Sequence, residues 1–465
     1  MEASSPASAV SAEPSVSSTM ECRIPAKKAT LAAEHSPDVT LPLRFMALGL
    51  VSLLTAVGWL AFRPDLVVGY HYGPVFISIT HLVVLGFVSS IVMGAMYQLV
   101  PVTLETRLHS ERLAKIHFVC QLVGVPGMVA MFWIWNPKQV GHFGTVFGLG
   151  VGLFAWNIAR TLRRAPRWNA VAYGIASSTI WLTLTMLAGL FLASAKCWPQ
   201  INRLEPVASM HAHAHLGVLG AFVVLLMAVS YKLVPMFLLS DLRSESRARW
   251  AIHLLNAGLL GLVPTMALRS PWKLAFAGIV VAGLAVYAVE LAAILRARKR
   301  RSFDWGLRSF FTALALLAPL SALGLFLGWP GLEPTEFTSR LENVYGFVAV
   351  FGVVAWAIWG MLYKILPFLV WYRAYGGVIG RSKVPALHEM YSHGLQAAGY
   401  WTYLLGLAGT VTAQLLANET VARWNWLLLV ASLGCFAVNA GRIVGHLIHP
   451  QLQPLAAAAK RAVVA

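Results

Sequence analysis

Gly94-Ala95-Met96-Tyr97-Gln98-Leu99-Val100-Pro101 recurs twice more along the chain in altered form, as Val229-Ser230-Tyr231-Lys232-Leu233-Val234-Pro235 and as Gly360-Met361-Leu362-Tyr363-Lys364-Ile365-Leu366-Pro367. The tyrosines lie 134 and 132 residues apart. A bilayer-crossing helix takes about 20 residues, so each period holds four such helices with their connections. The expected fold is all-α: a polytopic membrane protein of about twelve helices, in three four-helix units around a pseudo-threefold axis. The proline is expected to end each repeated helix, because it cannot continue the backbone ladder. The tyrosines are expected to anchor helix ends.

The rest of the sequence agrees with lipid as the main solvent. Hydrophobic residues make up 58% and charged residues 12% of 465 residues, and mean hydropathy is +0.68. A soluble chain of this length needs more polar surface. Inside lipid every backbone group must be paired within the protein, and long continuous apolar runs select helices over barrel strands. Such runs fall at 42–62, 73–100, 114–136, 140–162, 169–195, 206–238, 248–268, 272–297, 306–328, 338–372, 386–417 and 423–448. They define a twelve-helix membrane domain over 42–448. Residues 1–41, rich in Ser, Ala and Pro, read as a disordered N-terminal tail without a secretory signal, and 449–465 as a C-terminal tail.

The connections are electrically lopsided. Alternate loops, beginning with the one after helix 2, carry nineteen Lys and Arg residues, and the other six carry eight. The positive-inside rule then places both termini in the cytoplasm of a bacterial-type inner membrane. A basic inner face meeting anionic lipid accounts for the net charge of +18 without nucleic acid as a partner. Cys22, Cys120, Cys197 and Cys435 have no metal-binding or redox spacing; Cys120 and Cys435 are expected in the core.

The repeat also aligns the residues that can do chemistry. Sixteen residues before the three tyrosines stand His81, His215 and Phe347. That spacing puts the histidines about 24 Å from the tyrosines, towards the outer side. On helix 6, Met210-His211-Ala212-His213-Ala214-His215 places His211 and His215 on one helix face, with His213 pointing elsewhere. Imidazole is the usual haem axial ligand and the commonest metal ligand, and ionisable groups inside membrane helices are costly. His81 and His215 are therefore the candidate cofactor ligands, and His211, His213 and His215 the candidate metal ligands. His71 and His142 lie on the same side. His117, His253 and His393 open the third helix of each unit, near the inner face, and read as structural residues bonding a backbone carbonyl. His388, His446 and His449 read as interfacial. Glu290 is expected to pair with Arg296, and Lys232 and Lys364 to reach the inner face. No carboxylate is expected mid-membrane beside the histidines.

From His81 through Pro101 and on to Leu104-Glu105-Thr106-Arg107-Leu108-His109-Ser110, the sequence resembles helix 2 and its following loop in the haem–copper oxidase superfamily, nearest the nitric-oxide reductase branch. The segment His215-Leu216-Gly217-Val218-Leu219-Gly220 resembles that family's helix 6. The resemblance implies His81 as a haem axial ligand and His215 as a ligand of the second metal, so haem and copper are the implied cofactors. It implies respiratory electron transfer, or nitric-oxide or copper handling, with a donor protein or respiratory subunit as partner. The family's adjacent histidines on helix 7 and its two on helix 10 have no counterpart here: helix 7 has only His253, and helix 10 reads Asn343-Val344-Tyr345-Gly346-Phe347. The standard binuclear centre is therefore not expected. More loosely, the chain resembles the haem- and copper-containing membrane proteins of the nitric-oxide stress response. A cofactor-free channel or transporter, and a structural subunit of a respiratory complex, are the competing readings.

Overall fold

The computed structural model describes residues 37–454. Twelve long helices follow in order: α1 Thr40–Phe62, α2 Pro74–Thr103, α3 Glu111–Trp133, α4 Pro137–Leu162, α5 Ala170–Cys197, α6 Pro206–Leu238, α7 Glu245–Ala267, α8 Lys273–Arg296, α9 Trp305–Leu327, α10 Glu336–Val378, α11 His393–Leu416 and α12 Glu419–Ile448. All but α11 are long and apolar enough to cross a bilayer. The chain is thus a multi-pass helical membrane protein. Helix α11 carries His393, Gln396 and Gln414, which dilute its apolar character, and it packs lengthwise on α12.

Within each unit the third and fourth helices form an antiparallel hairpin, as α3–α4, α7–α8 and α11–α12. The second helix of each unit is the innermost. The apolar windows of α6, α10 and α2 are 72%, 67% and 50% buried, against 22–44% for the other spans. These three helices meet along the middle of the bundle.

The repeat extends to backbone geometry. Directly after His81, His215 and Phe347, each central helix widens into a π-helical stretch: Leu82–Ser89, Leu216–Val223 and Val348–Ala355. Such turns insert a residue and rotate the rest of the helix by about 100° relative to what precedes it. The three aligned positions therefore sit where the helix changes face.

Several expectations need correction. Pro101 and Pro235 stand within three residues of their helix ends, but α10 runs past Pro367 to Tyr375 before a closing 3-10 turn. Tertiary bonds hold the extension: Trp371 Nε1 donates to Pro385 O at 2.7 Å, and the Tyr375 hydroxyl meets His446 Nδ1 at 2.7 Å. Tyr97, Tyr231 and Tyr363 are buried core residues, not interfacial anchors, because each belongs to a central helix. Glu290 pairs with Arg247 at 2.8 Å rather than with Arg296, since the α7 N-terminus folds over it. Lys364 pairs with Asp304, the N-cap of α9. Cys120 and Cys435 are half-buried and unbridged, because they face their hairpin partners at the bundle's rim.

The N-terminal tail expected over 1–41 lies mostly outside the described residues. Within them α1 already begins at Thr40, and Asp38 accepts from the Thr40 N–H at 3.0 Å. Past α12, β2 (Gln453–Pro454) pairs antiparallel with β1 (Ser382–Lys383).

Candidate metal and cofactor site

A cavity of about 810 Å³ occupies the half of the bundle opposite the basic loops. His71, His81, His211, His213 and His215 all line it. Its size falls within the range of about 300–1,000 Å³ typical of small-molecule and cofactor pockets.

Two of these histidines are set identically. His81 Nδ1 lies 2.8 Å from Ile77 O, and His215 Nδ1 lies 2.8 Å from His211 O, each one helical turn earlier. A carbonyl can only accept, so Nδ1 carries the proton in both rings and Nε2 keeps its lone pair. That is the arrangement that orients a ligating imidazole. His81 also stacks on Phe132, with ring centroids 4.6 Å apart. Its Nε2 makes no hydrogen bond among the described residues. His215 Nε2 instead accepts from the Tyr345 hydroxyl of α10 at 3.1 Å.

His211 and His215 share a wall as their spacing implies, but His213 turns towards α5. Gly189 makes room for it there: a Cβ at that position would stand 3.1 Å from His213 Cε1. His213 Nδ1 is buried and unpartnered among the described residues. The three candidate metal ligands thus do not converge on one point. His142 lies on α4 beside Gln139, away from the cavity. His117 and His253 bond the hydroxyls of Tyr97 and Tyr173, each at 2.9 Å, rather than backbone carbonyls. His446 is buried within the protein, where its Nδ1 meets the Tyr375 hydroxyl at 2.7 Å.

A further cluster joins three distant segments. His71, His211 and Glu342 bring one ligand-type atom each to within 4.8 Å of one another. Glu342, in the second turn of α10 and so near the helix start rather than mid-membrane, supplies a carboxylate to this cluster. It was legible in principle, since shifting back by the 132-residue repeat sets Glu342-Asn343 at the depth of Met210-His211.

The donor set suits a haem or a borderline metal. Imidazole nitrogens with fixed tautomers face a cavity of mainly apolar side chains, and Lys196 and Lys273 on its wall offer cations to a carboxylate-bearing group. From α7 the wall receives Leu262 and Met266, and from α10 it receives Tyr345 and Phe347. Neither helix offers an imidazole to the cavity.

Fold and site together define a polytopic helical membrane protein with a histidine-walled cavity between its three central helices. Residues 39–270 match the family model described as cytochrome c and quinol oxidase polypeptide I. A haem–copper terminal oxidase dimer solved by cryo-electron microscopy has a similar fold, with TM-score 0.60 and 13% identity over 92% of this chain and 85% of that chain. No curated protein sequence matches. The chain is a haem–copper oxidase subunit I-like protein.

Proposed function

We propose that the chain binds haem in this cavity and acts in membrane electron transfer or in nitric-oxide or copper handling, without the standard binuclear centre of its relatives. One observation carries the reading: His81 and His215 have the same fixed tautomer and turn Nε2 to the same cavity. His81 would hold the group through Nε2, and His215 would be a second holding residue if its bond to Tyr345 were released. His211 and His213 are further candidates, and copper suits the same imidazole donors.

A bound haem supplies one-electron chemistry. The chain's own residues do the rest. The Ile77 and His211 carbonyls orient the ligands, Phe132 supports the His81 ring, and the apolar wall limits water. On this reading electrons come from a partner, a donor protein or respiratory subunit, since the sequence holds no Cys-x-x-Cys-His motif for an attached carrier haem. The basic loops face the cytoplasm, as the charge asymmetry favours, so the cavity faces the outer side of an inner membrane.

The test is a spectrum with metal analysis on the protein purified in detergent. The reading predicts a Soret band with stoichiometric iron, lost or shifted in His81→Ala. Copper without haem keeps the histidine wall and moves the function to copper handling. A colourless, metal-free, well-folded protein after haem-supplemented expression overturns the proposal in favour of a channel, transporter or structural subunit.

A further inference from the structure

The cluster of His71, His211 and Glu342 lies where three unconnected pieces of chain meet. His71 follows the short helix Pro64–Val68, His211 stands on α6, and Glu342 is in the second turn of α10. Asn343 sets the orientation of His71. Its Nδ2 donates to Gly69 O at 2.9 Å, which fixes the direction of the amide. Its Oδ1 then accepts from His71 Nδ1 at 2.8 Å. Because Nδ1 donates, His71 Nε2 is left with a lone pair. That lone pair faces His211 Nε2 at 3.2 Å. The Glu342 carboxylate beside them is half-buried and makes no hydrogen bond or ion pair among the described residues.

We infer that His71 Nε2, His211 Nε2 and the Glu342 carboxylate hold one divalent transition-metal ion of the borderline class, with at least one coordination position open to the cavity. The nitrogen–nitrogen distance is compatible with this class. Two nitrogens at about 2.0–2.1 Å from a metal, subtending 90° to 109°, stand about 2.9–3.3 Å apart. The observed 3.2 Å lies within that interval. A plain imidazole–imidazole hydrogen bond also fits the distance, but it leaves the half-buried Glu342 carboxylate without a hydrogen bond, with only the nearby charges of His71 and Lys273 to offset its burial. Calcium and magnesium are disfavoured because two of the three donors are imidazoles rather than oxygens. Asn343 plays the orienting part that outer partners play at metal-bound histidines. Three protein ligands with an open position mark a site that takes an exogenous small ligand, unlike a closed structural site.

This site shares the cavity and His211 with the haem reading, but it uses neither of that reading's two principal ligands, His81 and His215. The experiment takes the full chain in detergent with whatever haem it carries, strips it with a chelator and titrates Co2+, followed by its ligand-field bands and by metal analysis, with Zn2+ as competitor. One equivalent of Co2+ displaced by Zn2+ is expected. Glu342→Gln, which keeps the shape, and His71→Ala should each weaken binding at least tenfold, and Asn343→Ala about 10–100-fold. The Soret band should be kept in all three, since each retains His81 and His215, whatever small shift a changed cavity wall produces. Absence of stoichiometric Co2+ or Zn2+ in the wild type overturns the inference, as does binding undiminished in Glu342→Gln and His71→Ala. Metal bound by a haem-free protein sinks the haem proposal alone. Co2+ lost in His81→Ala but kept in Glu342→Gln places the metal at the wrong histidines and sinks this one.

Discussion

Asn157 clasps Ser110 through both ends of its amide: Oδ1 accepts from the Ser110 N–H at 3.0 Å, and Nδ2 donates to the Ser110 carbonyl at 2.7 Å. Ser110 is the N-cap of α3, and its hydroxyl accepts from the Leu113 N–H. The third unit repeats the arrangement. Asn439 accepts from Ser392 N at 2.8 Å and donates to Ser392 O at 3.1 Å, and Ser392 caps α11. In the second unit a glutamate takes the place of the asparagine. Glu290 accepts from Ser244 N and Arg243 N at 2.9 and 2.6 Å, and from Arg247 Nε at 2.8 Å. Each hairpin is thus tied at the basic face, where the third helix starts over the end of the fourth.

Loss of a clasp leaves buried backbone groups without partners, at about 1–3 kcal/mol. Asn157→Ala and Asn439→Ala should each lower the thermal midpoint in detergent while leaving cofactor content per folded molecule unchanged. Glu290→Ala should cost more than either, because it also strands Arg247. Glu290→Asn should fall between wild type and Glu290→Ala, since the other two units show that asparagine can make the clasp. If Glu290→Asn is no better than Glu290→Ala, the equivalence of the three units at this position is wrong.

The two tyrosines of the first repeats give a sharper contrast. The Tyr97 hydroxyl bonds His117 Nδ1, and His117 Nε2 has no partner among the described residues. Tyr97→Phe should therefore destabilise by about 1–3 kcal/mol, because it orphans a second buried nitrogen. The Tyr231 hydroxyl is itself unpartnered among the described residues. Tyr231→Phe should be neutral or slightly stabilising. Equal losses in the two variants would show that the Tyr97–His117 bond contributes nothing.

How far the sequence could be read follows from these same residues. The repeat was visible because its tyrosines and prolines are nearly identical, and it located His81, His215 and Phe347 at the start of three equivalent π-helical stretches. Twelve apolar runs were legible because each must satisfy the same bilayer thickness. The clasps were not, since Asn157, Glu290 and Asn439 differ in type and their serine partners lie 47, 46 and 47 residues away. The partners of His71 were also hidden. Asn343 is 272 residues distant, and nothing local marks the pairing. His213 read as a metal candidate by proximity in sequence, but alternate helix positions diverge in space.

Glu205 should make the histidine helix sensitive to acid. It caps α6, its two carboxylate oxygens accepting from Val207 N and Ala208 N at 2.9 and 2.6 Å. Burial pulls its carboxyl upward, yet the two N–H bonds, with help from Arg269, hold it below its ordinary value of 4.5. A depressed carboxyl contributes stability that is complete above the unfolded value and is lost as pH falls through the folded one. Glu205→Ala should cost about 0.5–2 kcal/mol at neutral pH, as N-cap losses do. The gap between the thermal midpoints of wild type and variant should close below pH 4.5. A gap that stays constant with pH would exclude a charged cap.

Tyr345 and His215 set the last expectation. His215 Nδ1 already donates to His211 O, so the 3.1 Å contact to Tyr345 is the hydroxyl donating to the Nε2 lone pair. The same lone pair is the one a metal or haem iron would take. Coordination by His215 must therefore break this bond, worth about 0.5–1.5 kcal/mol net. Tyr345→Phe removes the competitor while keeping the ring, and should tighten haem binding by about 2–12-fold, the same energy expressed as a ratio. Haem titration into the apo-protein measures it. Tighter binding in Tyr345→Phe that disappears in the Tyr345→Phe, His215→Ala double variant identifies His215 as a ligand. Weaker binding in Tyr345→Phe would mean that the hydroxyl itself faces the bound group, and that His215 serves to orient Tyr345.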